Sequence, residues 1–214
     1  MSSKLEQFIH VSSRRLQQWM RRWESQIASA LLHDQYQITP EGVILFEDKR
    51  LVGRFFHRYP NLEKDFTCDK NLIVDQGIMK LLGIGFYTDA KINTWYLTMF
   101  SGSTTPANTL TAANFAATQA EITSTTEGFS NATRPAAVFA APAANVAAIP
   151  LGSYATFNCV CTTSITATGA AVISDNTRGG TGGTLWSAAP FDSGPRPIYN
   201  AEPFQLGYQT SLTD

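Results

Sequence analysis

Apolar residues recur at steps of three and four through residues 5–31, and basic residues fall largely between them. This spacing predicts an amphipathic helix, and we interpret residues 1–39 as a helical arm. Three surroundings stay open for its apolar face: a membrane surface, a groove in a partner protein, or the arm's own domain. Acidic residues dilute the basic face and favour a protein surface. The side chains that we expect at this interface are Phe8, Leu16, Trp19, Met20, Trp23 and Ile27.

Residues 40–91 show a mixed pattern. Two short apolar runs, 43–46 and 51–59, flank a charged turn and predict a hairpin. A further strand is expected over 71–74, followed by a short helix that ends at Gly83 or Gly85. We expect this segment to pack on the β-rich remainder of the chain.

The pattern of apolar residues over 92–214 predicts β-structure. The run 94–100 is apolar at successive positions and predicts a strand with both faces buried, whereas 204–212 alternates as a half-buried strand does. Further strands are expected over 154–165 and 170–174, with one short helix over 112–121. Short strands joined by turn-rich loops predict a mainly β fold: an antiparallel β-sandwich or jelly-roll-like domain, or a small barrel, with an N-terminal α-helical arm.

The distribution of charge along the chain also separates residues 1–91 from the β-rich remainder. The chain of 214 residues has a net charge of −1 and only 15% charged residues, against a usual value of about 25%. Residues 1–91 carry 24 charged side chains, whereas the 123 residues that follow carry 9. A near-neutral chain has no electrostatic drive toward a nucleic-acid backbone. The small neutral surface of the second part suits a protein that packs against neighbours, because such groups cost little to desolvate. An ordinary β-domain with a polar uncharged surface is the alternative.

Candidate chemistry is sparse. The three histidines lie at positions 10, 33 and 57 without metal-binding spacing, and no nucleophile-elbow motif is present. The glycine-rich run 179–184 lacks the lysine of a phosphate-binding loop. We interpret Cys68, Cys159 and Cys161 as small buried thiols. The sequence therefore predicts no catalytic residues, no cofactor and no metal site, and no apolar run long enough to cross a bilayer.

The order of segments along the chain resembles small structural proteins of tailed bacteriophage virions. The segments that carry the resemblance are 71–77, the strand 95–100 with 101–106 after it, 130–135, the glycine-rich run leading into Trp186, and 204–212. Proteins of this kind are capsid decoration or cement proteins, or components of the neck and tail. The resemblance implies a non-enzymatic role and a place in the virion, assembled in the host cytoplasm.

Our leading hypothesis is a cement protein that bridges neighbouring capsid subunits. The expected partners are the major capsid protein or other virion proteins and further copies of this chain, with neither nucleic acid nor membrane. A neck or tail adaptor is the second hypothesis. The third is a glycan-binding module for host attachment, which rests on Trp95, Trp186 and Tyr199.

Overall fold

The computed structural model describes residues 37–38, 44–45 and 50–213. Two units make up the chain: residues 1–49 with residue 214, and residues 50–213. In the first unit, strands β1 (Gln37–Ile38) and β2 (Ile44–Leu45) pair antiparallel. The predicted helical arm, with its six expected interface residues from Phe8 to Ile27, lies outside the described residues.

The second unit is built almost entirely from strands. Its two helices are α1 (Asp75–Phe86) and α2 (Ala112–Gln119), and a single 3-10 turn covers Leu151–Ser153. The strands are β3 (Arg50–Arg58), β4 (Thr67–Ile73), β5 (Trp95–Phe100), β6 (Gly128–Phe129), β7 (Ala136–Ala137), β8 (Val146–Ala148), β9 (Ala155–Val160), β10 (Ser164–Ala167), β11 (Gly169–Ile173), β12 (Leu185–Pro190), β13 (Arg196–Tyr199) and β14 (Pro203–Thr213). The prediction of a mainly β fold is confirmed.

One curled antiparallel sheet dominates this unit. Its strand order is β6-β9-β14-β3-β4-β12-β11-β5-β7, with β8 paired to the second half of β14. Strands β10 and β13 form a separate two-stranded ladder. Side chains from both halves of the sheet, such as Phe204 on β14 and Leu97 on β5, belong to one buried cluster. The sheet therefore folds over its own core, and its two halves act as the two layers of the predicted sandwich.

Alternation along β14 sets the core face. Phe204, Leu206 and Tyr208 are fully buried, as the period-two pattern predicts. Their cross-strand partners on β3 include Phe55, opposite Tyr208, and His57, opposite Leu206. The same faces of both strands are therefore buried together.

A second cluster lies on the other face of β5, β11 and β12. There Phe115 of α2 packs edge-on against Phe100 of β5, with ring centroids 6.1 Å apart. Every residue of β11 is buried because it has one cluster on each face. The expectation that residues 94–100 are buried on both sides is confirmed by Leu97 and Phe100, which belong to different clusters.

Two local predictions differ from the structure. Strand β3 pairs with β14 and β4, whereas β2 pairs with β1, so residues 43–46 and 51–59 do not form a hairpin. As a result β3 and β4 are central strands of the sheet and do not merely pack on it. Residues 154–165 form two strands, β9 and β10, in different ladders. The chain turns between them at Thr162, whose N–H and hydroxyl donate hydrogen bonds to the Glu127 carboxylate.

Candidate interaction surface

Helix α1 is fixed to the sheet through its first turn. The Gln76 Oε1 atom accepts hydrogen bonds from the backbone N–H groups of Ala112 and Leu185, each at 2.8 Å. Gly77 lies against Trp186 of β12 so closely that a Cβ atom there would come within 2.7 Å of the Trp186 carbonyl oxygen. Only glycine allows this approach, and α1 therefore has a defined inner side.

The outer side of α1 is apolar. At 3.6 residues per turn, Ile78, Met79, Leu82 and Phe86 lie within an arc of about 100°, roughly opposite Gly77. Met79 is 67% exposed and Phe86 is 89% exposed. A surface helix normally turns its apolar stripe toward the core and its polar side toward water. Helix α1 does the reverse.

Two further residues extend this surface, which we call the α1 apolar face. Its members are Ile78, Met79, Leu81, Leu82, Phe86 and Tyr87. These six are half of the twelve large hydrophobic side chains exposed in the part of the chain that the structure describes. The other six are spread over several strands and loops. Since scattered apolar residues are normal on a protein surface and a concentrated group is not, this face is the clearest sign of a binding surface.

A groove of about 500 Å³ runs beside the helix. Met79, Leu82, Phe86 and Tyr87 contribute apolar walls to it. At its rim the Lys80 ammonium donates a hydrogen bond to the Asp89 carboxylate at 3.0 Å. The face thus combines a projecting apolar ridge with an adjoining apolar groove.

Sequence reasoning missed this face as a site. It expected the helix near its observed bounds, with Gly85 one residue before the actual end, but assigned the interface to the N-terminal arm. A usable signal was present: from residue 76 to residue 88 the only charged side chain is Lys80. A helix with so few charged side chains exposes apolar residues unless neighbouring elements cover it, and in the part of the chain that the structure describes no element covers its outer side.

The buried polar groups hydrogen-bond to one another and link segments of the chain, and they do not line an open site. The Arg134 guanidinium donates to both Glu121 carboxylate oxygens, and Thr98 Oγ1 and the Gly179 N–H donate to the same carboxylate. Arg178 donates to four backbone carbonyls. The cavity beside these groups has a volume of about 10 Å³, which is room for one water molecule at most.

His57 and Asp69 form a second buried polar pair. The His57 Nε2 and Asp69 Oδ2 atoms are 2.5 Å apart, and both residues are at most 2% exposed. The imidazole packs against the rings of Phe191 and Phe204, and its Nδ1 atom has no hydrogen-bond partner among the described residues. Burial among these rings lowers the pKa of His57, against the opposing effect of the Asp69 carboxylate. A substrate has no access to this pair.

The aromatic residues considered for glycan binding are not assembled into a platform. Trp95 and Trp186 contact one another with ring centroids 5.9 Å apart, but both pack against the buried core. The Trp186 Nε1–H donates to the Tyr208 hydroxyl at 2.9 Å. Tyr199 is exposed on β13, in the separate two-stranded ladder.

Between residues 50 and 213 there is no group of three or more His, Cys, Asp or Glu side chains placed to hold a metal ion. Neither α1 nor α2 is long and apolar enough to cross a bilayer.

Comparison of the chain with protein-family models, with curated protein sequences and with solved structures finds no match.

Proposed function

We propose that this protein is a non-enzymatic structural component of a multi-subunit assembly, and specifically a cement or decoration protein of a tailed-bacteriophage capsid. The observation that carries the proposal is the α1 apolar face. Ile78, Met79, Leu82 and Phe86 all point away from the sheet that anchors the helix. A neighbouring subunit that covers this face removes its apolar surface from water and gains the corresponding free energy.

The outward face of β9 suits close packing as well. On this strand the inward residues are apolar, whereas Thr156 and Asn158 point outward and carry no charge. Uncharged polar groups lose less free energy on desolvation than Lys or Glu does. A protein that binds the folded shell and not its dissociated subunits stabilises the shell by mass action. Many repeated contacts, each of ordinary interface size, would thereby resist the outward pressure of packaged DNA.

The assignment to a virion is supported by the order of the sequence segments between residues 71 and 212. In the particle, the protein would contact the major capsid protein or other virion proteins. A neck or tail adaptor would use the same apolar face in a ring of few copies. The number of copies per particle separates the two positions, because a shell protein approaches the copy number of the capsid subunit.

The experiment uses phage particles that lack this protein. Purified full-length chain is added back as wild type, as Leu82→Lys, or as Leu62→Lys. Leu62 is 72% exposed in the turn after β3, away from α1, so Leu62→Lys is a matched control for surface charge. We expect wild type and Leu62→Lys to bind and to raise the temperature at which DNA is released, and Leu82→Lys to bind poorly.

Two results would overturn the proposal. Particles that lack the protein and keep the same thermal and osmotic stability would remove the cement role. Equal binding of Leu82→Lys and Leu62→Lys would show that the α1 apolar face contributes nothing to assembly on the particle, whether by contact with another subunit or with a second copy of this chain.

A further inference from the structure

The α1 apolar face contains a gap at Gly85. A Cβ atom added there would meet nothing within 4 Å. On the helix surface, residue 85 adjoins Leu81 and Leu82, which lie four and three positions before it. Gly85 is the last residue but one of α1, where glycine costs less than the roughly 1 kcal/mol relative to alanine of a helix interior, and no contact inside the described unit requires it. The gap leaves an indentation bordered by apolar side chains, into which a side chain from another molecule fits.

The charge around the face is balanced. Residues 75–91 carry two acidic side chains, Asp75 and Asp89, and two basic ones, Lys80 and Lys91. Lys80 and Asp89 neutralise one another at the rim. Two copies of this surface therefore meet without net repulsion, whereas a strongly acidic or basic partner finds no complementary field.

The size of the face matches half of an ordinary interface. From the exposed fractions of its six residues, the face presents roughly 700 Å², close to the ~800 Å² that each partner contributes to a standard interface. Phe86 projects almost fully, and Met79 and Tyr87 line the groove beside it. Because ridge and groove lie beside one helix, a two-fold axis through this face brings the same surface of both copies together, as an isologous interface requires.

We propose that the α1 apolar face binds the same face of a second copy, in an isologous dimer in which the two helices pack against one another at Gly85. The inference rests on the proposed function in one respect, because it identifies the neighbour that covers this face. In an assembly, such a dimer would present two copies of each surface outside the α1 apolar face. It would therefore bind neighbouring subunits with the avidity of a bivalent molecule.

Sedimentation of the full-length chain over a micromolar concentration series tests the dimer without any particle. The chain is measured as wild type, Leu82→Lys and Gly85→Leu, with Leu62→Lys and Gly152→Leu as matched controls. Gly152 lies in the Leu151–Ser153 turn and, like Gly85, has open space around its Cβ position. Each variant is checked by circular dichroism, and Gly85→Leu should raise helix stability.

We expect wild type and both controls to dimerise with the same Kd. Leu82→Lys should raise the Kd by about 30-fold or more, as loss of a central contact does. Gly85→Leu should also raise the Kd, although it makes the face more apolar, because it fills the indentation. That result separates a shape-specific contact from general apolar adhesion.

A monomeric wild-type chain would overturn the dimer, as would tighter association of Gly85→Leu or equal effects of Leu82→Lys and Leu62→Lys. If the monomer instead sedimented with phosphatidylcholine vesicles through the same face, the occupant would be a lipid surface. The cement function and the dimer can be refuted independently. If the chain is monomeric but Leu82→Lys still loses binding to particles, the dimer is refuted and the cement function stands, with a different neighbour on α1.

Discussion

Arg134 and Glu121 form a bidentate ion pair in the interior of the β-unit, with Nε to Oε1 and Nη2 to Oε2 distances of 2.7 Å each. Both side chains are fully buried. The pair joins the end of α2 to the loop before β7 and, through Asp175 and Gly179, to the glycine-rich loop. Because both charges have been removed from water, each depends on the other.

Loss of one partner should therefore be costly. Glu121→Gln leaves the Arg134 guanidinium with only the more exposed Asp175 carboxylate, 3.6 Å from Nη1, as counter-charge, and we expect the free energy of unfolding to fall by about 3 kcal/mol. Urea unfolding measures the change. Asp89→Asn, which breaks the half-exposed pair with Lys80, is the control and should cost less than about 1 kcal/mol. Equal costs for the two variants would contradict a structural role for the buried pair.

Tyr208 supports a buried hydrogen-bond network. Its hydroxyl accepts from Asn71 Nδ2 at 3.0 Å and from Trp186 Nε1 at 2.9 Å. Tyr208→Phe keeps the ring but leaves the Trp186 Nε1–H without its acceptor, whereas Asn71 Nδ2 keeps its hydrogen bond to Ser187 Oγ. The free energy of unfolding should therefore fall by about 1–3 kcal/mol. Tyr199→Phe alters an exposed ring and should have no measurable effect in the same urea titration. A Tyr208→Phe variant as stable as wild type would show that water reaches the Trp186 N–H.

His57 should make stability depend on pH. Burial lowers the pKa of His57 below 6.5, and its unpartnered Nδ1 atom favours the neutral ring, because a proton there would have no acceptor. Between the lowered pKa and 6.5 the unfolded chain binds more protons than the folded one. The free energy of unfolding should therefore decrease as the pH falls through that window, by no more than about 1.4 kcal/mol per pH unit for one proton.

An NMR titration of the His57 imidazole checks this directly. The expected result is a midpoint below 6.5. A midpoint above 6.5 would mean that the Asp69 carboxylate outweighs burial, and stability would then be lost as the pH rises.

The three cysteines should differ in reactivity. Burial and the neighbouring Cys161 thiol raise the pKa of Cys159 to about 12, and both residues are buried, whereas Cys68 is exposed on β4. The interpretation of Cys68 as a buried thiol is thus wrong, because its position on β4 faces outward. A thiol reagent should modify one cysteine in the native protein and three after unfolding. In Cys68→Ser none should react before unfolding.

Much of the fold follows from local pattern. The alternation at 204–212 predicts β14, and the residue types at 71–77 predict the passage from β4 into α1. The two apolar faces of 94–100 predict a strand covered on both sides. In each case the side chains of one segment carry the information, because burial of one face or both depends on the period of the apolar residues.

The pairing of strands could not be predicted from the local pattern of apolar residues. Strand β3 lies next to β14, about 150 residues away in the chain, although the charged turn before it favours a hairpin. The choice depends on the core contacts that Phe55 makes with Tyr208, whose ring centroids lie 5.0 Å apart, and a sequence pattern contains no such information.

Residue types and their spacing were enough to predict the mainly β class, the charge-poor second part and the position of α1. The side of α1 that the described residues leave uncovered depends on contacts between segments that are distant in the chain. That side was set by the close approach of Gly77 to Trp186 and by the hydrogen bonds of Gln76. These contacts turn Ile78, Leu82 and Phe86 toward solvent, because a helix anchored on one side must expose the other.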